Sequence, residues 1–200
     1  MQDQYITKPS STVLNEDISS NVNDLKWKIY CDMDGVLVDF VAGTVEHITK
    51  QLQTGEAEEL KEKIGRDYIT EEDIHYSSPN KNKHIRSYMY KELQHNAEFW
   101  ENLPWMPGGK ELWNYIKKYD PIILSKPTDL QAVIGKKKWV KDHIGLPRER
   151  VQIRYDKSPY ANYNGKIGVL IDDFESNTSK FEGAGGLTVL YKNTQQAIKE

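Results

Sequence analysis

The sequence has a single cysteine, Cys31, so no intrachain disulfide can staple the fold. Its apolar runs are no longer than a strand, which excludes a transmembrane helix. It has little net charge. With 27 Lys and Arg against 30 Asp and Glu the formal balance is -3, and no field of one sign points to nucleic acid or a membrane surface. The N-terminus lacks a basic-then-apolar leader pattern, and no internal repeat is visible. These absences predict a cytoplasmic chain with one core. Hydrophobic residues make up 38% of the 200 positions, with 5 Trp and 12 Tyr among them, which suffices for one such core.

What is present has a clear order. Residues 1–26 are polar and without period, and read as a flexible leader. A short apolar strand at 28–31 runs into the acidic, Gly-containing turn Asp32-Met33-Asp34-Gly35. Val41, Val45, Ile48 and Leu52 recur at helical spacing, and Ile85, Tyr88, Met89 and Leu93 mark another helix. No strand signal appears between 41 and 100. From about residue 101 strands and helices alternate. Strands are expected at 121–125, 151–154, 167–171 and 187–191, with helices between them. The helix at about 129–143 is expected to face inward through Leu130, Val133, Ile134, Val140 and Ile144, and to stop at Gly145. The run Lys136-Lys137-Lys138 reads as a solvated helix face. Such alternation predicts an α/β fold: a Rossmann-like parallel sheet flanked by helices. The core would comprise 27–40 and 101–200, with a helical cap at 41–100 inserted after the first strand.

Ligands of open parallel sheets sit at the carboxyl ends of the strands. Four such ends carry polar residues here: Asp32 and Asp34, then Ser125 with Lys126, then Lys157, then Asp172 and Asp173. Asp32 and Asp34 are two apart in an extended segment, so their side chains share a face. Four carboxylates cannot stay ionised at one rim without a cation, and a hard, oxygen-seeking ion such as Mg2+ answers that need. Ser125 and Lys157 suit a phosphoryl group on the ion. A carboxylate can attack phosphorus to form an aspartyl-phosphate, while a second acid protonates the leaving oxygen.

Taken together, Asp32-Met-Asp-Gly-Val-Leu-Val-Asp, Ile-Ile-Leu-Ser125, Lys157 and Leu-Ile-Asp172-Asp173 resemble the four motifs of the haloacid dehalogenase-like phosphatases. Phe99-Trp100 before Leu-Pro, Ser125-Lys126-Pro127, Lys138-Trp-Val-Lys-Asp-His-Ile-Gly145 and Arg154-Tyr-Asp-Lys157 are similar to one branch, the 5'(3')-deoxyribonucleotidases. The resemblance spans roughly residues 28–192. It implies that Asp32 is the nucleophile and Asp34 the general acid/base. It implies Mg2+ held by Asp32, the Asp34 main-chain carbonyl and the final acid pair, Asp173 in direct contact and Asp172 behind it or through water. Ser125 and Lys157 would bind phosphate. The branch usually has Thr-Ser-Pro where this chain has Ser125-Lys126-Pro127. Lys126 therefore either meets substrate phosphate or points to solvent.

Among the aromatics, Phe40, Phe99 and Trp100 are the candidates for stacking on a nucleobase. The expected activity is Mg2+-dependent hydrolysis of (deoxy)nucleoside monophosphates. The alternatives are another small phosphate ester, a nucleic-acid terminal phosphate, or a phospho-accepting receiver module, whose motif order differs. The expected partner is a small-molecule phosphomonoester. Homodimerisation is compatible with the sequence, and neither a membrane nor a stable nucleic-acid complex is expected.

Overall fold

The computed structural model describes residues 26–74, 82–93 and 95–200. The expected leader lies outside the described residues except for Lys26. Its carbonyl accepts the Ile167 amide at 2.9 Å, ahead of the first strand.

The sheet contains β1 (Trp27–Cys31), β2 (Ile122–Ser125), β3 (Val151–Ile153), β4 (Asn162–Tyr163), β5 (Lys166–Asp172) and β6 (Leu187–Leu190). The order is β3-β2-β1-β5, with β6 and β4 along the other edge of β5. Every pairing is parallel except β4 with β5. That hairpin was not among the expected strands, although Asn164-Gly165 signals it. Both residues have positive φ, 54° and 74°, as a two-residue hairpin turn demands.

The central strands are mostly apolar because both faces are covered. Ile29, Cys31, Ile123 and Ile171 pack on one face; Tyr30, Leu124 and Leu170 pack on the other, against Phe181 and Ala161. All four motif-bearing strand ends consequently point the same way.

Between β1 and β2 run α1 (Phe40–Thr54), α2 (Glu58–Ile64), α3 (Glu71–Ile74), α4 (Lys83–Leu93), α5 (Ala97–Glu101) and α6 (Gly109–Ile116). No strand interrupts the described residues from Phe40 to Glu101, as expected. The Asp39 carboxylate caps α1 by accepting the Ala42 amide at 2.9 Å. The outgoing and returning chains are tied together. The Asp39 amide donates to Pro104 at 2.9 Å, and the Met106 amide to Leu37 at 2.8 Å.

The remaining helices are α7 (Leu130–Ile144), α8 (Glu175–Gly183) and α9 (Thr194–Lys199). Asp129 caps α7 through the Ala132 amide, and Gly145 ends it in the left-handed conformation. Its inward face differs from the expected one. Leu130 and Ile134 are 70% and 48% exposed. The buried line is Ala132, Gly135, Lys136, Trp139 and Val140. The cause is close packing against α5: a Cβ on Gly135 would overlap the Ala97 carbonyl and the Trp100 side chain. Glycine allows that approach, and the helix turns accordingly. Lys136 is thereby fully buried, so the lysine run does not form the solvated face its composition suggests.

Candidate active site

The end of β1 is shaped by its backbone. The Asp32 amide donates to Ile171 at 2.9 Å, the last ladder bond before the chain turns. The Met33 carbonyl then gathers the amides of Val36, Leu37 and Val38. Gly35 stands at the apex with φ 75°, a conformation that favours glycine, and any Cβ there would overlap the Asp173 carboxylate. Met33 points into the core, 1% exposed. Its neighbours on both sides project to the rim, so the two-residue spacing of Asp32 and Asp34 has the consequence expected of it.

Each of these aspartates meets its own buried lysine. Lys157 Nζ lies 3.0 Å from Asp32 Oδ1 and 2.6 Å from Asp172 Oδ2. Lys136 Nζ lies 2.5 Å from Asp34 Oδ2, 3.1 Å from Ser125 Oγ and 2.6 Å from the Lys126 carbonyl. Lys136 was not among the expected site residues. What singles it out is the approach of α5 to Gly135, which turns Lys136 inward and which no local feature of the lysine run announces. Burial works against the Lys157 charge, yet Asp32 and Asp172 outweigh it and hold the ammonium above its usual value.

The structure brings together Asp32, Asp34, Ser125, Lys157, Asp172 and Asp173. Asp32, Asp172 and Asp173 each offer a carboxylate oxygen, all three within 4.8 Å of one another. Asp173 is exposed as a residue, yet desolvation of its carboxyl at the rim pushes it up to about 7, with Asp32 and Asp172 adding to the effect. Burial also raises Asp172, reinforced by Asp32 and opposed by Lys157. Asp34 is raised by burial against the pull of Lys136. An all-oxygen acidic set of this kind fits a hard divalent cation. The carboxylates differ in what they have left to offer. Asp172 already accepts Asn177 Nδ2 at both oxygens, the Phe174 amide and Lys157. Asp32 Oδ1 faces the Lys157 ammonium at 3.0 Å, while Asp34 Oδ1 accepts no hydrogen bond among the described residues.

The aromatic candidates are placed differently from Asp32 and its partners. Phe99 and Trp100 are 5% and 2% exposed. Trp100 donates Nε1–H to the Leu93 carbonyl at 3.1 Å and stacks on Phe40 at 5.4 Å. Its ring centroid lies 5.0 Å from Lys136 Nζ. In this packing neither Phe99 nor Trp100 offers a free face to a base; Phe40 is only partly covered. Lys126 donates to Asn177 Oδ1 at 2.5 Å. Cys31 is buried, and burial lifts its thiol well above the usual range, so it is inert.

Residues 26–198 match the model of the family "5' nucleotidase, deoxy (Pyrimidine), cytosolic type C protein". The chain belongs to this family. Members are haloacid dehalogenase-like, and the protein is accordingly a phosphatase of that type. Its fold is shared with a hydrolase from Streptococcus pneumoniae TIGR4: TM-score 0.53, 14% identity, with 88% of this chain and 98% of that one covered. A HAD family enzyme of Bacteroides thetaiotaomicron, solved with magnesium and inorganic phosphate, aligns with TM-score 0.45 and 20% identity over 83% of this chain and 94% of its own. No curated protein matches the chain in sequence. Among the described residues of this nucleotidase-family chain, no helix is long and apolar enough to cross a membrane.

Proposed function

We propose that this phosphatase is a Mg2+-dependent 5'(3')-deoxyribonucleotidase that works through an aspartyl-phosphate. The observation that carries the reading is the pairing of Asp32 and Asp34 with two separate buried lysines, Lys157 and Lys136, beside the Asp172 and Asp173 carboxylates. Family membership supports the nucleotide substrate, and its cytosolic description supports a cytoplasmic location.

Asp32 attacks phosphorus while the ester P–O bond breaks. Asp34 delivers its proton to the leaving oxygen, a role that its raised carboxyl favours. It then takes a proton from the water that attacks the aspartyl-phosphate, which releases phosphate and restores the Asp32 carboxylate. Ser125 Oγ, Lys157 and Lys136 donate to the phosphoryl oxygens. Mg2+, held by Asp32, Asp173 and the Asp34 main-chain carbonyl with Asp172 behind, would offset repulsion between Asp32 and a dianionic phosphate. The helices from 41 to 100 act as a cap, and the bonds from Asp39 to Pro104 and from Met106 to Leu37 serve as its stem.

Phosphate release from a panel of dNMPs, NMPs and sugar phosphates, with Mg2+ and with EDTA, tests this. Deoxynucleotides should lead, EDTA should stop turnover, and Asp32→Asn should abolish it. Retained Asp32→Asn activity would overturn the nucleophile; sugar phosphates far ahead of nucleotides would overturn the substrate class.

A further inference from the structure

A cavity of about 320 Å³ opens beside the acidic rim, between the loop after β3 and α8. Lys126, Lys157, Asn177 and Lys180 form part of its wall, and Tyr155, Asp156 and Ser158 complete it. The three lysines are not equivalent. Lys157 is matched by Asp32 and Asp172. Among the described residues neither Lys126 nor Lys180 forms an ion pair. Asp156 is the acid on this wall. It is exposed and accepts the Ser158 amide at 3.0 Å. Leaving out Lys157, the lining therefore carries one surplus positive charge.

Lys126 is aimed into this space by its surroundings. Asn177 is 7% exposed. Its amide nitrogen must face the Asp172 carboxylate, so its carbonyl oxygen must face the other way, where it receives the Lys126 ammonium. An ammonium has three protons, and one goes to Asn177. The others are available to an anion in the cavity. The phosphoryl group on Asp32 already has Ser125, Lys136 and Lys157, so Lys126 is surplus to that need.

We propose that this cavity is a subsite for a second anionic group, and that the enzyme takes phosphomonoesters carrying a further phosphate, which Lys126 and Lys180 meet. The inference rests on the phosphomonoesterase reading above and narrows its substrate class.

Calorimetry on the Asp32→Asn protein with Mg2+ compares thymidine 5'-monophosphate with thymidine 3',5'-bisphosphate. The bisphosphate should bind at least tenfold tighter. Adding Lys126→Gln or Lys180→Ser should bring that ratio close to one, with thermal melting confirming that each variant is folded. In the active enzyme the ratio of kcat/KM for the same pair should follow. Fructose 1,6-bisphosphate against fructose 6-phosphate repeats the comparison without a nucleobase. Equal affinity within both pairs, or a preference that survives both lysine substitutions, would overturn the subsite. If monophosphates are hydrolysed with no bisphosphate advantage, only the subsite fails. If no phosphomonoester is hydrolysed, the phosphatase reading fails with it.

Discussion

Lys136 on α7 places its ammonium 2.5 Å from Asp34 Oδ2, across 102 positions of sequence. The two ends of this pair are unequally buried: the lysine side chain is 1% exposed, the aspartate 33%. Removing either partner therefore has unequal consequences. Asp34→Asn leaves a cation sealed in the protein, and its cost should be about 3 kcal/mol. Lys136→Met leaves a carboxyl that burial already raises and that can take up a proton, and Met fills much of the vacated space, so its cost should be smaller. The double variant should be more stable than Asp34→Asn alone. Urea denaturation of the three proteins measures the order. Equal losses from the two single variants would show that the pair is not buried as described.

Gly35 offers a cleaner separation of strain from collision. Gly35 and Gly55 have φ of 75° and 83°, so both resist a side chain to about 1 kcal/mol or slightly more. At Gly55 nothing lies within 4 Å of a new Cβ, whereas at Gly35 the Asp173 carboxylate is in the way. Gly55→Ala should lose a little stability and no activity. Gly35→Ala should displace Asp173 and lower kcat by roughly a hundredfold, with an increased Mg2+ requirement. Steady-state kinetics over a Mg2+ series separates the two; similar activities in the two variants would argue against a working role for Asp173.

The rim was legible because it depends on topology. Once the strands were known to be parallel, the residues after Cys31, Leu124, Ile153 and Ile171 had to share one edge, wherever they fell in the chain. Lys136 and Asn177 were not legible in that way. Nothing local distinguishes Lys136 from Lys137 and Lys138. What selects it is the contact of Gly135 with α5, a long-range event that also leaves Leu130 and Ile134 facing outward despite their side chains. The Asn177 orientation likewise depends on two groups from different strand ends, Asp172 and Lys126.

Metal-free protein should show a pH dependence traceable to Asp173. Its carboxyl moves from 3.8 to about 7 on folding. A raised acid binds its proton more tightly in the folded state. Its contribution is fully present below pH 4 and is lost as pH rises through about 7. The melting temperature in EDTA should therefore decline across that window, and Asp173→Asn should flatten the decline. Mg2+ should stabilise the protein more at pH 7.5 than at pH 5, because at the lower pH it must displace a proton from Asp173. A melting curve in EDTA that rises from pH 4 to 7 would contradict the crowding of Asp32, Asp172 and Asp173.

Trp100 separates two roles for the aromatic cluster. If its ring stacked on a nucleobase, replacing it would raise KM for nucleotides and leave a simple aryl phosphate untouched. Its ring instead lies 5.0 Å from the Lys136 ammonium, stacked on Phe40, with Nε1–H on the Leu93 carbonyl. A ring in that position holds a buried cation through its face and fixes the direction in which Lys136 reaches Asp34 and Ser125. Trp100→Leu should therefore lower kcat by a similar factor for thymidine monophosphate and for p-nitrophenyl phosphate, and should cost about 3 kcal/mol of stability. Trp100→Phe retains an aromatic face below the lysine and loses the bond to Leu93, so its activity should lie between those of wild type and Trp100→Leu. A KM effect confined to nucleotides would return Trp100 to the substrate. A uniform kcat effect, partly restored by phenylalanine, assigns it to Lys136.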